Sequence, residues 1–140
     1  MSLLLLFRSH VTLPVDMVVE VSLSNLSGDT DEECGVAFRL ADTSNFLAAY
    51  VDDGDNLVHL SSFAAGAETS IATAAWTPAD TAEIRVICQQ ERIRVWVDRV
   101  LLIDAESPLY LAEQRAGMFS RSTTVVKFSD FYAQLLSEVA

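Results

Sequence analysis

Residues 83–103 read EIRVICQQERIRVWVDRVLLI, and this stretch decides the fold class. Apolar side chains recur at every second position, as in Ile84, Val86 and Cys88, and the same period returns in the RIRVWV segment. Alternation of this kind, rich in β-branched residues, is typical of strands with one buried face. Short polar reversals separate the runs. The stretch therefore predicts a three-stranded antiparallel meander.

The same pattern continues outward in both directions, with strands at intervals of about 8 to 14 residues. Further strands are predicted at 17–26, 36–40, 45–51, 57–63, 70–75, 116–121 and 125–134. The segment 104–115 has no alternation and contains Pro108, which predicts a loop with one helical turn. Helical periodicity is otherwise nearly absent, so we expect an all-β sandwich or barrel.

The composition suits one acidic domain. The 140 residues carry a formal charge of −11, from 9 Lys plus Arg and 20 Asp plus Glu, and 51% of them are hydrophobic. A chain of this length can bury one core without disulfides or metals. Its charge repels phosphate backbones, so no nucleic-acid partner is expected. No apolar run approaches the roughly 20 residues of a membrane span, and no signal peptide is recognisable, so we expect neither.

The two cysteines stand far apart in the sequence. Cys34 and Cys88 have neither CxxC spacing nor a Cys/His cluster around them, so a zinc site is not expected. Cys88 ends an alternating apolar run and is predicted to be a reduced core thiol. Whether the pair forms a disulfide depends on geometry, and the sequence leaves this open.

Several segments, taken in order, carry a family resemblance. They read MVVEVSL at 17–23, GVAFRL at 35–40, IRVWVDRVLL at 93–102, RAGMFS at 115–120 and FSDFYA at 128–133. The series resembles the concanavalin A-like jelly roll, in particular the LamG-like lectin and glucanase domains found in bacterial and phage proteins. The resemblance implies an antiparallel jelly-roll β-sandwich, formed by a single LamG-like domain over residues 1–140.

The sequence departs from this family at two turns and at its start. Arg99 and Gln114 occupy positions where the family commonly has glycine, so we expect a different turn geometry there. The N-terminal part is short for the family. We therefore expect one strand to be missing or supplied by a neighbouring copy, and this keeps an assembly role open.

No catalytic machinery is recognisable in the sequence. Glucanases of this fold carry an E-x-D-x-E pattern on one strand, which directs a nucleophile and a general acid at one glycosidic bond. The chain has no such triplet. Its acidic sets fall in predicted loops, and they are Asp29, Asp31, Glu32 and Glu33 in one group and Asp52, Asp53 and Asp55 in the other. We expect solvated turns there and a protein that is not an enzyme.

Carbohydrate recognition commonly uses an aromatic platform beside planar polar groups, because a sugar ring has an apolar face and a rim of hydroxyls. The candidates predicted on faces opposite the core are Arg39, Tyr50, His59, Arg94, Trp96 and Asp98. Strand alternation places Arg94, Trp96 and Asp98 together. The alternatives are a packing role for Trp96 and a structural hydrogen bond for His59.

The turn at 52–56 is a candidate calcium site. Ca²⁺ binds hard oxygen ligands from carboxylates, amides and carbonyls, and the resemblance to LamG-like and lectin-like domains implies such a site near a sheet rim. The candidate ligands are Asp52, Asp53, Asp55 and Asn56. Their spacing is not that of an EF-hand, and solvated turn chemistry is the alternative. No other cofactor is expected.

The resemblance, together with the missing catalytic pattern, predicts a non-catalytic module that binds a carbohydrate or protein surface or has a structural role. The setting inferred from the resemblance is a virion or extracellular surface, as a bacteriophage tail, spike or decoration protein. One alternative is a purely structural protein that assembles as a homo-oligomer. The other is a degenerate glycoside-active domain, which two carboxylates assembled from distant strands would favour.

Overall fold

The chain folds as two antiparallel β-sheets packed face to face. A computed structural model describes the backbone of residues 2–7, 16–26, 32–121 and 126–136, and the side chains of the last three ranges. These residues form eleven strands and no helix. Within them, accordingly, no helix has the length and apolar character needed to cross a membrane. The predicted all-β antiparallel sandwich is confirmed.

The first sheet has six strands. In spatial order they are β1 (Ser2–Phe7), β10 (Ala116–Ser120), β3 (Glu33–Asp42), β4 (Asn45–Asp52), β5 (Leu57–Ala64) and β6 (Ala67–Ala75). Strands β3 to β6 are successive hairpins, as their alternation predicts. Strand β10 returns from much later in the chain and pairs with both β1 and β3. The sheet thus combines local hairpins with long-range pairing.

The second sheet has five strands. In spatial order they are β11 (Lys127–Leu135), β2 (Met17–Ser24), β7 (Ala82–Gln89), β8 (Arg92–Val97) and β9 (Val100–Glu106). Strands β7 to β9 form the predicted meander. In the turn between β8 and β9, Asp98 and Arg99 both have positive φ, at 50° and 68°. This is the hairpin geometry in which glycine is favoured, so Arg99 holds a conformation that glycine adopts at lower cost.

The main core lies between the two sheets. Val19, Val21 and Leu23 of β2 are buried in it, as their period of two predicts. Cys34 and Cys88 are also buried there, and both are free cysteines. Burial raises the pKa of each thiol to about 12. The two thiols are therefore protonated at neutral pH. As free cysteines, they are not joined by a disulfide.

Three expectations about the strands and turns are wrong. The N-terminal strand is neither missing nor supplied by a neighbour, because β1 pairs with β10 of the same chain. The segment 104–115 is not a loop throughout, since β9 continues to Glu106, and the part after it contains no helix but a hydrogen-bonded turn, in which the N–H of Glu113 donates to the carbonyl of Tyr110 at 3.0 Å. Arg99 does not have the different turn geometry expected for it, because it adopts the positive φ of a glycine turn, whereas Gln114 has no positive φ, which agrees with the expectation.

Strand β3 contains a bulge that redirects its last residues. The register with β4 shifts between Phe38 and Asp42, and Arg39 has a φ of 45°. Because a bulge interrupts the period of two, Leu40 does not follow Phe38 into the core between the sheets. It packs instead in a separate apolar cluster on the opposite face.

Arg39 is fully buried, contrary to its predicted place on an open polar face. Its Nη1 donates to the backbone carbonyls of Ser107 at 2.9 Å and Leu109 at 3.2 Å, and its Nη2 donates to the carbonyl of Gln90. The side chain therefore ties the β3 bulge to the β7–β8 turn and to the segment after β9. Its position serves the fold and leaves no surface for a ligand.

Replacing Arg39 with methionine should lower the free energy of unfolding by roughly 2–4 kcal/mol, because the buried bond to the Ser107 carbonyl and the part-buried bonds to the Leu109 and Gln90 carbonyls are lost. Thermal and urea unfolding would measure the change. The matched control is Arg92→Met, which breaks an exposed ion pair with Asp104 and should leave the unfolding midpoint nearly unchanged. Equal midpoints for the two variants would contradict this role for Arg39.

Candidate functional site

The face of the six-stranded sheet that points away from the main core carries a second apolar layer. Strand register brings its rings together, with Phe46 opposite Phe63. Their centroids are 4.6 Å apart, and Phe119 lies 5.6 Å from Phe63. We call this buried layer the outer cluster, and its members are Ala37, Leu40, Phe46, Ala48, Tyr50, Phe63 and Phe119. An apolar layer on an outward face requires a cover.

Arg121 lies over the outer cluster. It stands two positions after Phe119, and its backbone N–H donates to the carbonyl of Glu33 at 2.7 Å, so it continues the β10–β3 pairing. The guanidinium carbon is 5.3 Å from the ring centroid of Tyr50 and 5.4 Å from those of Phe63 and Phe119. These distances fall within the range of cation–π attraction. One cation therefore contacts three buried rings.

Two glutamates and a tyrosine fix this guanidinium. Nη2 of Arg121 donates to Oε1 of Glu68 at 2.8 Å and to the hydroxyl of Tyr50 at 3.0 Å. Its Nε lies 3.1 Å from Oε2 of Glu33. The Tyr50 hydroxyl in turn donates to Glu68. We call Glu33, Tyr50, Glu68 and Arg121 the Arg121 cluster.

The Arg121 cluster shows that this face of the sheet is concave. Arg121 extends β10 and Glu68 belongs to β6, which is four strands away. In a flat sheet the two backbones would be about 19 Å apart, given a spacing of about 4.8 Å between strands. Their side chains meet at 2.8 Å, so the sheet curves and brings them together. The side chains of Arg121, Glu33 and Glu68 remain 28%, 27% and 27% exposed, which makes them accessible to a ligand.

The two glutamates of the Arg121 cluster differ in acidity. Burial raises the pKa of Glu33 above its usual value, although the charge of Arg121 opposes this. Burial also acts to raise the pKa of Glu68, but hydrogen bonds from Tyr50 and Arg121 outweigh it and hold the pKa below its usual value. The pKa of Tyr50 is raised by burial and by its bond to Glu68. At neutral pH Glu68 is thus an anionic acceptor and Tyr50 a neutral donor.

His59 borders the Arg121 cluster. Its ring stacks on Tyr50 with centroids 4.8 Å apart, and its Nε2 lies 2.7 Å from Oδ2 of Asp55. His59 therefore lies on the predicted face of the sheet, and it also makes a structural hydrogen bond, which was the alternative role expected for it. The structure brings the two predicted residues Tyr50 and His59 into contact on one face.

The predicted calcium ligands are only partly brought together. Ligating atoms of Asp52 and Asp55 lie within 4.8 Å of one another and of an atom of His59. Asp53 instead accepts a hydrogen bond from the backbone N–H of Glu32 at 2.9 Å. Asn56 lies in the same turn with a φ of 62°. Because imidazole is not the hard oxygen ligand that Ca²⁺ prefers, calcium binding at this turn stays a prediction.

The remaining predicted residues lie on the outer face of the five-stranded sheet. Arg94 and Trp96 are half-buried there and alternate with buried valines. Asp98 lies in the following turn, and its carboxylate accepts a hydrogen bond from the backbone N–H of Glu83 at 2.9 Å. Five of the six predicted carbohydrate-binding residues are therefore divided between two opposite faces, and the sixth, the buried Arg39, belongs to neither.

Three members of the Arg121 cluster are not among the site residues predicted from the sequence, namely Glu33, Glu68 and Arg121. Glu33 is expected in a solvated loop with Asp29 and Asp31, but it begins β3, while Asp29 and Asp31 lie outside the described residues. Glu68 follows a glycine turn and resembles any exposed acidic residue. Arg121 does carry a signal, since its two-residue spacing from Phe119 places both on one face. Tyr50 does point away from the main core as predicted, but it is only 2% exposed.

Comparison with known proteins gives matches among solved structures. No family model matches the sequence, and no curated protein matches it. The carbohydrate binding module CBM66 from Bacillus subtilis is 21% identical over 86% of this chain and 75% of that chain, with a TM-score of 0.77. Sheep Galectin-11 is 12% identical over 95% of this chain and 96% of that chain, with a TM-score of 0.68.

A third match is CG-16, a homodimeric agglutinin from chicken liver, which is 18% identical over 95% of this chain and 100% of that chain, with a TM-score of 0.67. The fold is a concanavalin A-like jelly roll. At these identities the likeness establishes the jelly roll and nothing finer. Within this jelly roll, the Arg121 cluster lies on the concave face of the six-stranded sheet and Trp96 lies on the outer face of the other sheet.

Proposed function

We propose that the chain is a carbohydrate-binding module that holds a neutral sugar on the Arg121 cluster. The observation that carries this proposal is the fixed, partly exposed guanidinium of Arg121 between the carboxylates of Glu33 and Glu68. Sugar hydroxyls both donate and accept hydrogen bonds. Carboxylates accept them, guanidinium groups donate them, and bonds to charged groups are stronger than bonds between neutral ones.

Preorganisation supports the same proposal. The outer cluster and the Tyr50 hydroxyl already hold the polar groups of Arg121 in place. A ligand that binds them therefore loses less free energy to ordering of side chains than it would at a flexible surface. The rings beneath Arg121 are buried, so the sugar would be held here by hydrogen bonds and not on an open ring, and His59, stacked on Tyr50, extends the polar rim toward the turn at 52–56.

The charge of the site favours a neutral ligand over an acidic one. The carboxylates of Glu33 and Glu68 flank the single guanidinium of Arg121, and Asp52 lies close enough to Glu33 to raise its pKa. The whole chain has a formal charge of −11. A uronic acid or a sulfated sugar would add further negative charge at this face and be repelled.

The structural neighbours also support a carbohydrate ligand. One of them is called a carbohydrate binding module, another a galectin and a third an agglutinin. Their low sequence identities to this chain do not indicate which sugar it binds. The proposal therefore names only the class that the charge of the site favours, the neutral glycans.

Arg121→Ala should weaken binding of short galactan, fructan or xylan oligosaccharides by about 10- to 100-fold, the effect of losing hydrogen bonds to a charged group. Isothermal titration calorimetry would measure the affinities. Arg121→Lys keeps a cation over the rings but loses the planar fork. It should therefore fold normally and still bind weakly, while Arg92→Ala should bind like the wild type.

Three results would contradict the proposal. One is that none of these neutral oligosaccharides binds the wild-type protein. Another is that both Arg121 variants, with folding checked by circular dichroism, keep the wild-type affinity. The third is that polygalacturonate, the acidic counterpart of galactan, binds more tightly than galactan.

A second candidate function is glycoside hydrolysis, and one observation favours it. Glu33 and Glu68 come from distant strands to one guanidinium, and their surroundings shift their pKa values in opposite directions. A raised and a lowered carboxyl pKa suit a general acid and a general base or nucleophile. In such a hydrolysis Glu33 would protonate the leaving oxygen, and Glu68 would act as the anionic general base or nucleophile.

Turnover of the same oligosaccharides separates this candidate from simple binding. Under hydrolysis, Glu33→Gln should abolish release of reducing sugar and keep affinity within about tenfold, because the amide retains the shape of the side chain but cannot donate the acid proton. We favour binding alone, which expects no release of reducing sugar by the wild-type protein above a buffer blank. Release that Glu33→Gln abolishes would overturn that preference.

We propose a virion or extracellular surface as the biological setting, and a bacteriophage tail, spike or decoration protein is the setting that the family resemblance implies. An acidic binding module that recognises neutral glycans would serve attachment to a glycan-coated cell. Antibodies raised against the chain should then label purified virions in electron micrographs. Labelling confined to lysate fractions without particles would argue against this setting.

A further inference from the structure

We propose that the outer face of the five-stranded sheet holds a second binding site for a neutral glycan, centred on Trp96. This inference goes beyond the function proposed above, because it concerns the opposite face of the sandwich and does not require the Arg121 cluster to bind anything. The site is a cleft of about 420 Å³. Its lining residues are Glu20, Glu83, Arg85, Trp96 and Arg99. The volume is within the usual range of small-molecule sites, about 300–1,000 Å³.

The strands place the cleft residues in one row. Glu20 of β2 lies opposite Arg85 of β7, and Arg85 lies opposite Trp96 of β8. Directly opposite residues in antiparallel strands project to the same face. The row continues at both ends, since Tyr132 pairs with Glu20 and Leu101 pairs with Trp96. Both end residues are exposed, at 46% and 45%, so the row is open to a chain-like ligand along its length.

Trp96 provides an aromatic platform. Its neighbours Val95 and Val97 are buried on the core side, which fixes the indole on the outer face. The guanidinium carbon of Arg85 lies 6.0 Å from the ring centroid, at the outer limit of cation–π contact. An aromatic face beside planar polar groups matches the apolar face and hydroxyl rim of a sugar ring.

The charges of the cleft select against ionic ligands. Two guanidinium groups and two carboxylates line it, in the pairs Arg85 with Glu20 at 3.0 Å and Arg99 with Glu83 at 4.0 Å. An anion would meet both glutamates and a cation would meet both arginines. A neutral polyhydroxyl ligand can bond to donors and acceptors of both kinds without adding charge, so it is the occupant that fits.

Two sites on opposite faces would let one chain bind two glycan strands at once. The Arg121 cluster is on the outer face of one sheet and the Trp96 cleft is on the outer face of the other, with the main core between them. A single monomer could then cross-link polysaccharide, and simultaneous engagement would raise its avidity for a dense glycan surface.

Calorimetry with short galactan, fructan and xylan oligosaccharides tests the second site through its stoichiometry. The wild-type protein should bind two oligosaccharides per chain. Trp96→Leu, which keeps an apolar side chain without a ring, should lose one of them through a drop in affinity of at least about tenfold. Trp96→Phe is the matched control, because it keeps an aromatic face and should retain both sites.

The same titrations keep the two proposals apart. If Arg121→Lys removes all binding and Trp96→Leu none, the second site does not exist. If Trp96→Leu removes the only binding event and the Arg121 variants change nothing, the second site stands and the function proposed for the Arg121 cluster fails. Equal affinities of Trp96→Leu and Trp96→Phe for the oligosaccharides would also overturn the inference, since the ring would then make no contribution to binding.

Turbidity of a soluble galactan, fructan or xylan polymer gives a second readout. Wild-type protein should cross-link the polymer and raise the turbidity, whereas Trp96→Leu and Arg121→Ala should each bind it without cross-linking. Turbidity that survives in folded Trp96→Leu would contradict two sites on one chain.

Discussion

The contact between the Arg121 guanidinium and the three rings beneath it is the interaction on which the concave face depends. Those rings form an apolar layer on a side of the sheet that would otherwise face water. A cation placed over them needs counter-charges, and Glu33 and Glu68 provide them. The ion pairs in turn require β10 and β6, which are four strands apart in the sheet, to approach, so the curvature of the face, its charge and its accessible polar groups have one common cause.

The sequence predicts the architecture well because strand formation depends on short-range alternation. The meander at 83–103 and the hairpins between β3 and β6 follow from a period of two and from turn residues. The bulge at Arg39 does not follow from this pattern, because the burial of its side chain depends on carbonyls from the β7–β8 turn and from the segment after β9. Arg99 shows the same limit, since its positive φ is imposed by the hairpin and not by its own preference.

The candidate site is less predictable than the fold, because its members are distant in sequence. Arg121 is 53 residues from Glu68 and 88 from Glu33. Tyr50 and His59 could be recognised as outward-facing strand residues, and Trp96 likewise. Nothing local indicates that Glu33 and Glu68 share one guanidinium, or that Tyr50 is covered by it. Pairing of β10 with β3 creates that arrangement, and such long-range pairing leaves no mark in the pattern of any single segment.

The proposed function requires Arg121 to be both the cover of the outer cluster and the contact point for a ligand. Side-chain NMR of protein labelled with ¹⁵N-arginine, titrated with a short galactan, fructan or xylan oligosaccharide, tests this most directly. The guanidinium resonances of Arg121 should shift and saturate with the ligand, while those of the buried Arg39 stay in place. Saturable binding that leaves the Arg121 resonances unchanged would contradict it.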